Sequence, residues 1–305
     1  MSMDPQVRAF LEQAAAAGAP SFSDLSPIEA RAQNEVAAAA QQGRLLSVAQ
    51  VDDGVVAGVA VRRYDPDPGR ALPTLVYLHG GGWVVGSLDT HDSTCRALAR
   101  RTPCRVVAAG YRLAPEDPFP AAVEDSWAVL QAVARESATP VAVGGDSAGG
   151  NLSAVLARRA RDAGLPLALQ LLIYPVTDTD QTTASYRANG TGHGMTQRDM
   201  EWFLHHYAGD GDRLHPDLAP LRAPSLAGVA PAHVQVAELD VLHDEGVAYA
   251  ERLRAEGVPT TFTEQPGMLH GYIRQAGLFD RTRVAWDDCA TALSRAFATR
   301  PQREV

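Results

Sequence analysis

A serine at position 147 stands at the centre of Val143-Gly144-Gly145-Asp146-Ser147-Ala148-Gly149-Gly150, after a short apolar run and before a helix-forming one. That setting predicts a sharp strand-to-helix turn that presents the hydroxyl as a nucleophile. Glycines at 145 and 149 suit it, because side chains two positions either side would crowd the turn. The pattern alone is common in loops, and its meaning here comes from its partners. The first is His79-Gly80-Gly81-Gly82-Trp83, directly after the apolar run Leu75-Val76-Tyr77-Leu78. Three successive glycines leave backbone N–H groups uncovered, a geometry suited to negative charge developing on a substrate oxygen. A ring hydrogen bond from His79 is expected to brace that turn. The glycines fit no nucleotide pattern: there is no GxxxxGKS/T, and a contiguous run is not GxGxxG.

A serine hydroxyl is inert near neutral pH and needs a base, almost always an imidazole held in one tautomer by a carboxylate. Both partners must follow strands to reach the same sheet edge as Ser147. The run His233-Val234-Gln235-Val236-Ala237 ends in Glu238-Leu239-Asp240, with Asp240 where a strand-end loop begins. Glu238 competes with it from inside the strand, and Asp244 suits the start of the next helix. His270 follows in Pro266-Gly267-Met268-Leu269-His270-Gly271-Tyr272, on a short loop between a strand and a later helix. Nucleophile, acid, histidine is the chain order general to α/β-hydrolases. A metal site from Asp178, Asp180, His205 and His206 matches neither HExxH nor a carboxylate bridge, so no metal is expected.

The elements that must position these groups read as short β-prone runs at 55–63, 73–79, 104–110, 140–144, 168–174, 232–238 and 259–264, with helical runs at 90–101, 121–136, 148–163, 244–257 and 284–298. Such alternation predicts a mostly parallel sheet covered by helices on both faces. Two N-terminal helices are expected before residue 48, split by Gly18-Ala19-Pro20, the second capped by Ser26 with Pro27 in its first turn. The alternation lapses between about 178 and 225. An insertion at 185–215 is therefore expected to join residues 1–48 as a helical lid over the strand ends, with 49–184 and 216–305 forming the catalytic domain. Trp83, Trp202, Phe203 and Tyr207 are the candidate lining of a substrate pocket, though each also suits packing between lid and body.

A chain of 305 residues can bury a full core, and its net charge of −9 with no basic run disfavours nucleic acid as a partner. The segment Met1-Ser2-Met3-Asp4-Pro5 lacks a positive flank and no long apolar run follows, so a cytoplasmic protein without stable membrane association is expected. Three cysteines, 95, 104 and 289, have no CxxC spacing and suggest neither a disulfide framework nor a zinc site.

Taken in order, these motifs resemble those of the hormone-sensitive-lipase-like carboxylesterases of the α/β-hydrolase superfamily, in the bacterial branch whose elbow reads GDSAGG. The likeness runs from about residue 25 to about residue 279 and includes Asp89, Tyr111-Arg112-Leu113-Ala114-Pro115-Glu116, Phe119-Pro120-Ala121, Tyr174-Pro175 and Asp240-Val241-Leu242-His243-Asp244-Glu245-Gly246. The resemblance implies an α/β-hydrolase fold with a helical cap. It makes Ser147 the nucleophile, Asp240 the triad acid and His270 the base, with the backbone N–H groups of Gly81, Gly82 and Ala148 as the oxyanion hole. Asp146 and Glu116 are implied to stabilise the site's hydrogen bonds. Val241, His243 and Tyr272 depart from the usual proline, arginine and phenylalanine. The implied activity is hydrolysis of short to medium acyl esters, with water as acyl acceptor and no cofactor. The same machinery admits an amidase or deacylase of acylated metabolites, or an acyltransferase. A non-enzymatic small-ligand receptor on this scaffold is the reading from another class, and the intact triad disfavours it. Homodimers are frequent on this scaffold, and no exposed stripe in the sequence decides between dimer and monomer.

Overall fold

The computed structural model describes residues 3–298; residues 1, 2 and 299–305, which include the first positions of the N-terminal segment read above, lie outside the described residues. The elements in chain order are α1 (Pro5–Ala16), α2 (Pro27–Gln41), β1 (Gln50–Val56), β2 (Val59–Asp65), β3 (Thr74–Leu78), α3 (Asp92–Arg101), β4 (Arg105–Gly110), α4 (Ala121–Glu136), β5 (Val141–Asp146), α5 (Ala148–Asp162), β6 (Gln170–Ile173), α6 (Ala184–Asn189), α7 (Gln197–Ala208), β7 (Ala232–Leu239), α8 (His243–Ala255), β8 (Thr260–Leu269) and α9 (Arg281–Ala298). The strands form one eight-stranded sheet in the order β1-β2-β4-β3-β5-β6-β7-β8. β1, β2 and β4 pair antiparallel and the pairs from β4 to β8 run parallel. This is the expected α/β architecture.

Every residue of β3 is buried, as a central strand covered on both faces requires. Leu75 and Tyr77 face one layer with Leu98, Trp286 and Cys289; Val76 and Leu78 face the other with Val129, Leu130, Leu152 and Leu156. The period-two alternation of the strand thus divides its side chains between two helical layers. The three cysteines are free and buried. Ser26 caps α2 by a reciprocal box with Glu29, and Pro27 occupies its first turn.

Two strands depart from expectation. The run predicted at 55–63 is a hairpin, turning at Ala57 and Gly58 with φ of 50° and 84°. β1 escaped notice because it is a mostly exposed edge carrying Asp52, Asp53 and Gly54, with no apolar alternation to read. β8, predicted to end near 264, continues to Leu269 through Pro266. A proline is tolerated there because β8 is an edge strand, and its register against β7 shifts between Ala237 and Leu239.

The strand order reverses between β3 and β5, so the crevice of the sheet opens at their C-terminal ends. Leu78 pairs with Gly145, Asp146 with Ile173 and Leu239 with Leu269, which carries the ends of β3, β5, β7 and β8 to one edge. Over that edge lie α2, α6 and α7 as a cap. Asp199 at the start of α7 accepts the Ser21 hydroxyl at 2.7 Å and the Ser23 N–H at 2.9 Å, and the rings of Phe22 and Phe203 are 5.3 Å apart. α1, grouped with α2 in the expected lid, packs elsewhere: Val7 and Phe10 lie with Met268 and Phe279, and Gln6 bonds Asp280. Its apolar stripe is drawn to the β8 and α9 side of the body.

At the opposite end of the sheet, His233 is 3% exposed near the start of β7 and hydrogen-bonds Thr261 Oγ1 at 2.8 Å. Burial pushes its pKa from the ordinary 6.5 down to about 4. Between these values the unfolded chain binds a proton that the folded chain refuses, so stability falls as pH drops through that window. Thermal melts of His233→Gln from pH 6.5 to 4 are expected to show a shallower acid loss, by up to about 3 kcal/mol. An unchanged slope would mean that His233 protonates freely in the folded state.

Candidate active site

Ser147 joins β5 to α5 with φ of 55° and ψ of −119°, a conformation that a non-glycine residue adopts only when its surroundings impose it. The surroundings are tight backbone. A Cβ on Gly145 would stand 2.3 Å from the Leu78 carbonyl oxygen, and one on Gly149 would stand 1.9 Å from the same atom. The Ser147 N–H donates to Ile173 O at 2.9 Å, and its carbonyl accepts from Asn151 N at 2.9 Å. Both sequence-predicted glycines are therefore required by contact, and the turn they permit leaves Ser147 at the mouth of the crevice.

His270 directly follows β8, and Gly271 next to it takes φ of 83°, which turns the chain away from the strand. His270 Nε2 lies 2.9 Å from Ser147 Oγ and its Nδ1 lies 2.7 Å from Asp240 Oδ2. A carboxylate only accepts, so Nδ1–H donates to Asp240 and Nε2 is left to accept the Ser147 hydroxyl proton. Asp240 follows β7, is 1% exposed, and also accepts the Leu242 N–H at 3.0 Å. The Tyr174 ring packs 4.5 Å from the His270 ring and limits its rotation. The two other acids weighed from the sequence lie apart: Glu238 accepts the Gly267 N–H at 2.7 Å, and Asp244 sits in the first turn of α8.

Beside Ser147, Gly81 and Gly82 take φ of 119° and 57°. Among the described residues their N–H groups have no protein acceptor. Ala148 is the first residue of α5, where an N–H has no intrahelical acceptor. Gly81 and Gly82 border one cavity with Ser147, and the Ala148 amide follows Ser147 directly in the chain. His79 Nδ1 lies 2.8 Å from Gly80 O, its ring stacks on Tyr111 at 4.3 Å, and Tyr111 OH donates to His79 O at 2.6 Å. Burial pushes the His79 pKa down to about 4, so its ring stays neutral and donates one N–H.

Asp146 is buried behind Ser147 and accepts from Tyr77 OH at 2.8 Å and Gly80 N at 3.1 Å, with His91 Nε2 at 3.2 Å. Burial alone would raise its pKa; the charge and hydrogen bond of His91, the Tyr77 hydroxyl and the field of Arg274 outweigh it and hold the carboxyl below the ordinary range. Glu116 takes no part in this network. It pairs with Arg31 at 2.5 Å, while Arg31 also donates to Val84 O and Ala114 O, so Glu116 fastens cap helix α2 to the body. The reason is distance along the surface: Glu116 is half-exposed on the loop after β4. The contacts of His91 and Tyr77 with Asp146 carried no signal in the sequence, because each reaches Asp146 only through the fold.

A cavity of about 50 Å³ opens on Ser147, Gly81, Gly82 and His270, closed by Phe22, Met195, Met200 and Phe203 from the cap and by Asn34 and Arg274. Of the four aromatic residues expected to line it, Phe203 does so, against the face of Gly82. Trp83 and Tyr207 are buried outside it, stacked on each other at 4.4 Å, and Trp202 packs edge-on to Phe203 and His206. The apolar area of Trp83 and Tyr207 is buried between cap and body. A larger hollow of about 1630 Å³ borders Pro140, Leu169, His233 and Phe262 at the opposite sheet edge, away from Ser147.

α6 is tied to the loop that carries Asp240. Asn189 Nδ2 donates to Asp240 O at 3.1 Å, Ser185 Oγ to Val241 O at 2.7 Å, and Asp244 accepts the Ser185 N–H at 2.8 Å. Among the described residues no three His, Cys, Asp or Glu side chains are grouped to hold a metal, and no helix is long and apolar enough to cross a membrane.

Known proteins are similar to this chain over most of its length. Carboxylic ester hydrolase LipN of Mycobacterium tuberculosis is 43% identical over 254 residues, spanning 79% of this chain and 68% of its own. The ethyl acetate hydrolase of Pseudomonas putida is 42% identical over 233 residues, 72% of this chain and 73% of its own. The crystal structure of a mutant of LAE6, an alpha/beta hydrolase enzyme from the metagenome of Lake Arreo, superposes with a TM-score of 0.92 at 38% identity, covering 97% of this chain and 99% of that one. The family described as alpha/beta hydrolase fold matches residues 75–274, which span the glycine turn, the serine elbow, the acid loop and the histidine, and the chain belongs to that family.

Proposed function

We propose that this chain is a serine carboxylesterase of the hormone-sensitive-lipase-like bacterial branch, hydrolysing short to medium acyl esters through an acyl-enzyme. The observation that carries the reading is the unbroken line from Ser147 Oγ to His270 at 2.9 Å and from His270 to Asp240 at 2.7 Å, beside amides with no acceptor of their own. In this reading residues 1–48 and 185–215 supply the cap, and 49–184 with 216–305 the catalytic domain; α1 is the part of the first segment that packs away from the site.

The geometry supports a two-step acyl transfer. Ser147 Oγ attacks the ester carbonyl as its proton passes to His270 Nε2, while Asp240 holds the other ring nitrogen and stabilises the imidazolium. The carbonyl oxygen gains negative charge and receives the N–H groups of Gly81, Gly82 and Ala148. The C–O bond to the alcohol breaks as His270 returns the proton to the leaving oxygen. Water, deprotonated by His270, then attacks the acyl-serine and releases the acid and the free enzyme. The GDSAGG elbow supports the branch, and the small cavity, together with relatives whose names specify esters, supports the substrate class.

Purified Ser147→Ala is expected to fold normally and to lose ester turnover by a factor on the order of 10⁵ or more; activity near wild type would remove Ser147 from the mechanism. Asp240→Asn should keep the site's shape yet lower kcat by about 10⁴, because the ring then favours the wrong tautomer. Rates across p-nitrophenyl esters of rising acyl length should fall steeply beyond medium chains. A flat profile would contradict a closed pocket beneath the cap.

A further inference from the structure

Arg274 lies four residues beyond His270 and borders the same cavity as Ser147. A guanidinium offers five N–H donors in a planar fork. Among the described residues only one of them is engaged: Arg274 Nη1 donates to Asn34 Oδ1 at 2.9 Å, and no carboxylate pairs with it. Arg31, Arg222 and Arg159 are by contrast each held by an acid, Glu116, Asp178 and Asp217 respectively. Asn34 is 3% exposed, lines the cavity as well, and its Nδ2 donor has no partner. A buried amide donor without an acceptor is costly to the folded chain unless something fills it. The acid nearest in the cavity wall, Asp146, is already occupied by Tyr77, Gly80 and His91 and forms no ion pair with Arg274.

We propose that Arg274 and the Asn34 amide form an anion-reading corner of the pocket, and that the preferred esters carry a free carboxylate on the half that faces this corner. The inference rests on the esterase reading above and narrows its substrate class. A carboxylate would meet the guanidinium fork and the Asn34 N–H together, accepting charge-assisted bonds from both. In a chain of net charge −9 this local cation is what makes an anionic ester acceptable.

The test compares esters in which a methyl replaces the carboxylate: monoethyl glutarate against ethyl pentanoate for the acyl half, and acetoxyacetate against ethyl acetate for the alcohol half. The readout is the ratio of kcat/KM within each pair, from which any change in the fraction of folded enzyme cancels. Wild type is expected to favour the anionic member of one pair. Arg274→Gln should lower that ratio at least tenfold, Arg274→Lys should keep part of it, and Asn34→Asp, which pairs the guanidinium internally, should lower it as Arg274→Gln does. The pair that responds identifies which half of the ester faces the corner. If the ratios stay fixed while ethyl esters are turned over, the anionic corner is overturned and the esterase reading stands; Arg274 would then act only as a distant counter-charge to Asp146. If wild type turns over none of the four, both readings fall.

Discussion

One carbonyl oxygen organises the site. Leu78 O, at the end of β3, faces the positions where Cβ atoms on Gly145 and Gly149 would lie, so β3 and the elbow approach as closely as bare backbone permits. Two consequences follow from that single contact. The residues after Leu78 emerge beside Ser147, which is why a glycine turn belonging to one strand serves a hydroxyl belonging to another. The elbow also cannot relax outward, so Ser147 keeps the left-handed backbone that points its side chain into the crevice.

Around this contact the protein buries two carboxylates without giving either an arginine or lysine within ion-pair reach. Asp146 is held by a tyrosine hydroxyl, a backbone N–H and the His91 ring; Asp240 by the Leu242 N–H and the His270 ring. Hydrogen-bond donors with fixed directions orient each carboxylate where a mobile cation would leave it free to turn. The difference between the two acids lies in what their histidines touch. His91 is enclosed behind the elbow, whereas His270 reaches Ser147 Oγ.

Most of the frame was legible from the chain because the signals were periodic or steric. Apolar runs marked β3, β4, β5, β6 and β7, and helices α4 and α5 fell within a residue of expectation, since buried strands and amphipathic helices leave strong patterns. The serine, acid and histidine were legible because each follows a strand. What escaped was set by tertiary contact. β1 is polar, β8 runs through a proline, and α1 is amphipathic in a way that does not say which surface it will cover. Trp83 and Tyr207 looked like pocket residues until their mutual stacking placed them behind it. Arg274 and Asn34 are separated by 240 positions, and no spacing rule joins them.

The three bonds from α6 to the Asp240 loop make the cap part of the frame that holds this loop in place. A different cap in this place would have to restore the same fastening of the loop that carries Asp240. α7 and the chain around Phe22 meet the body instead through apolar packing, Tyr207 on Trp83 and Phe203 on Gly82, and so border the cavity without holding the Asp240 loop.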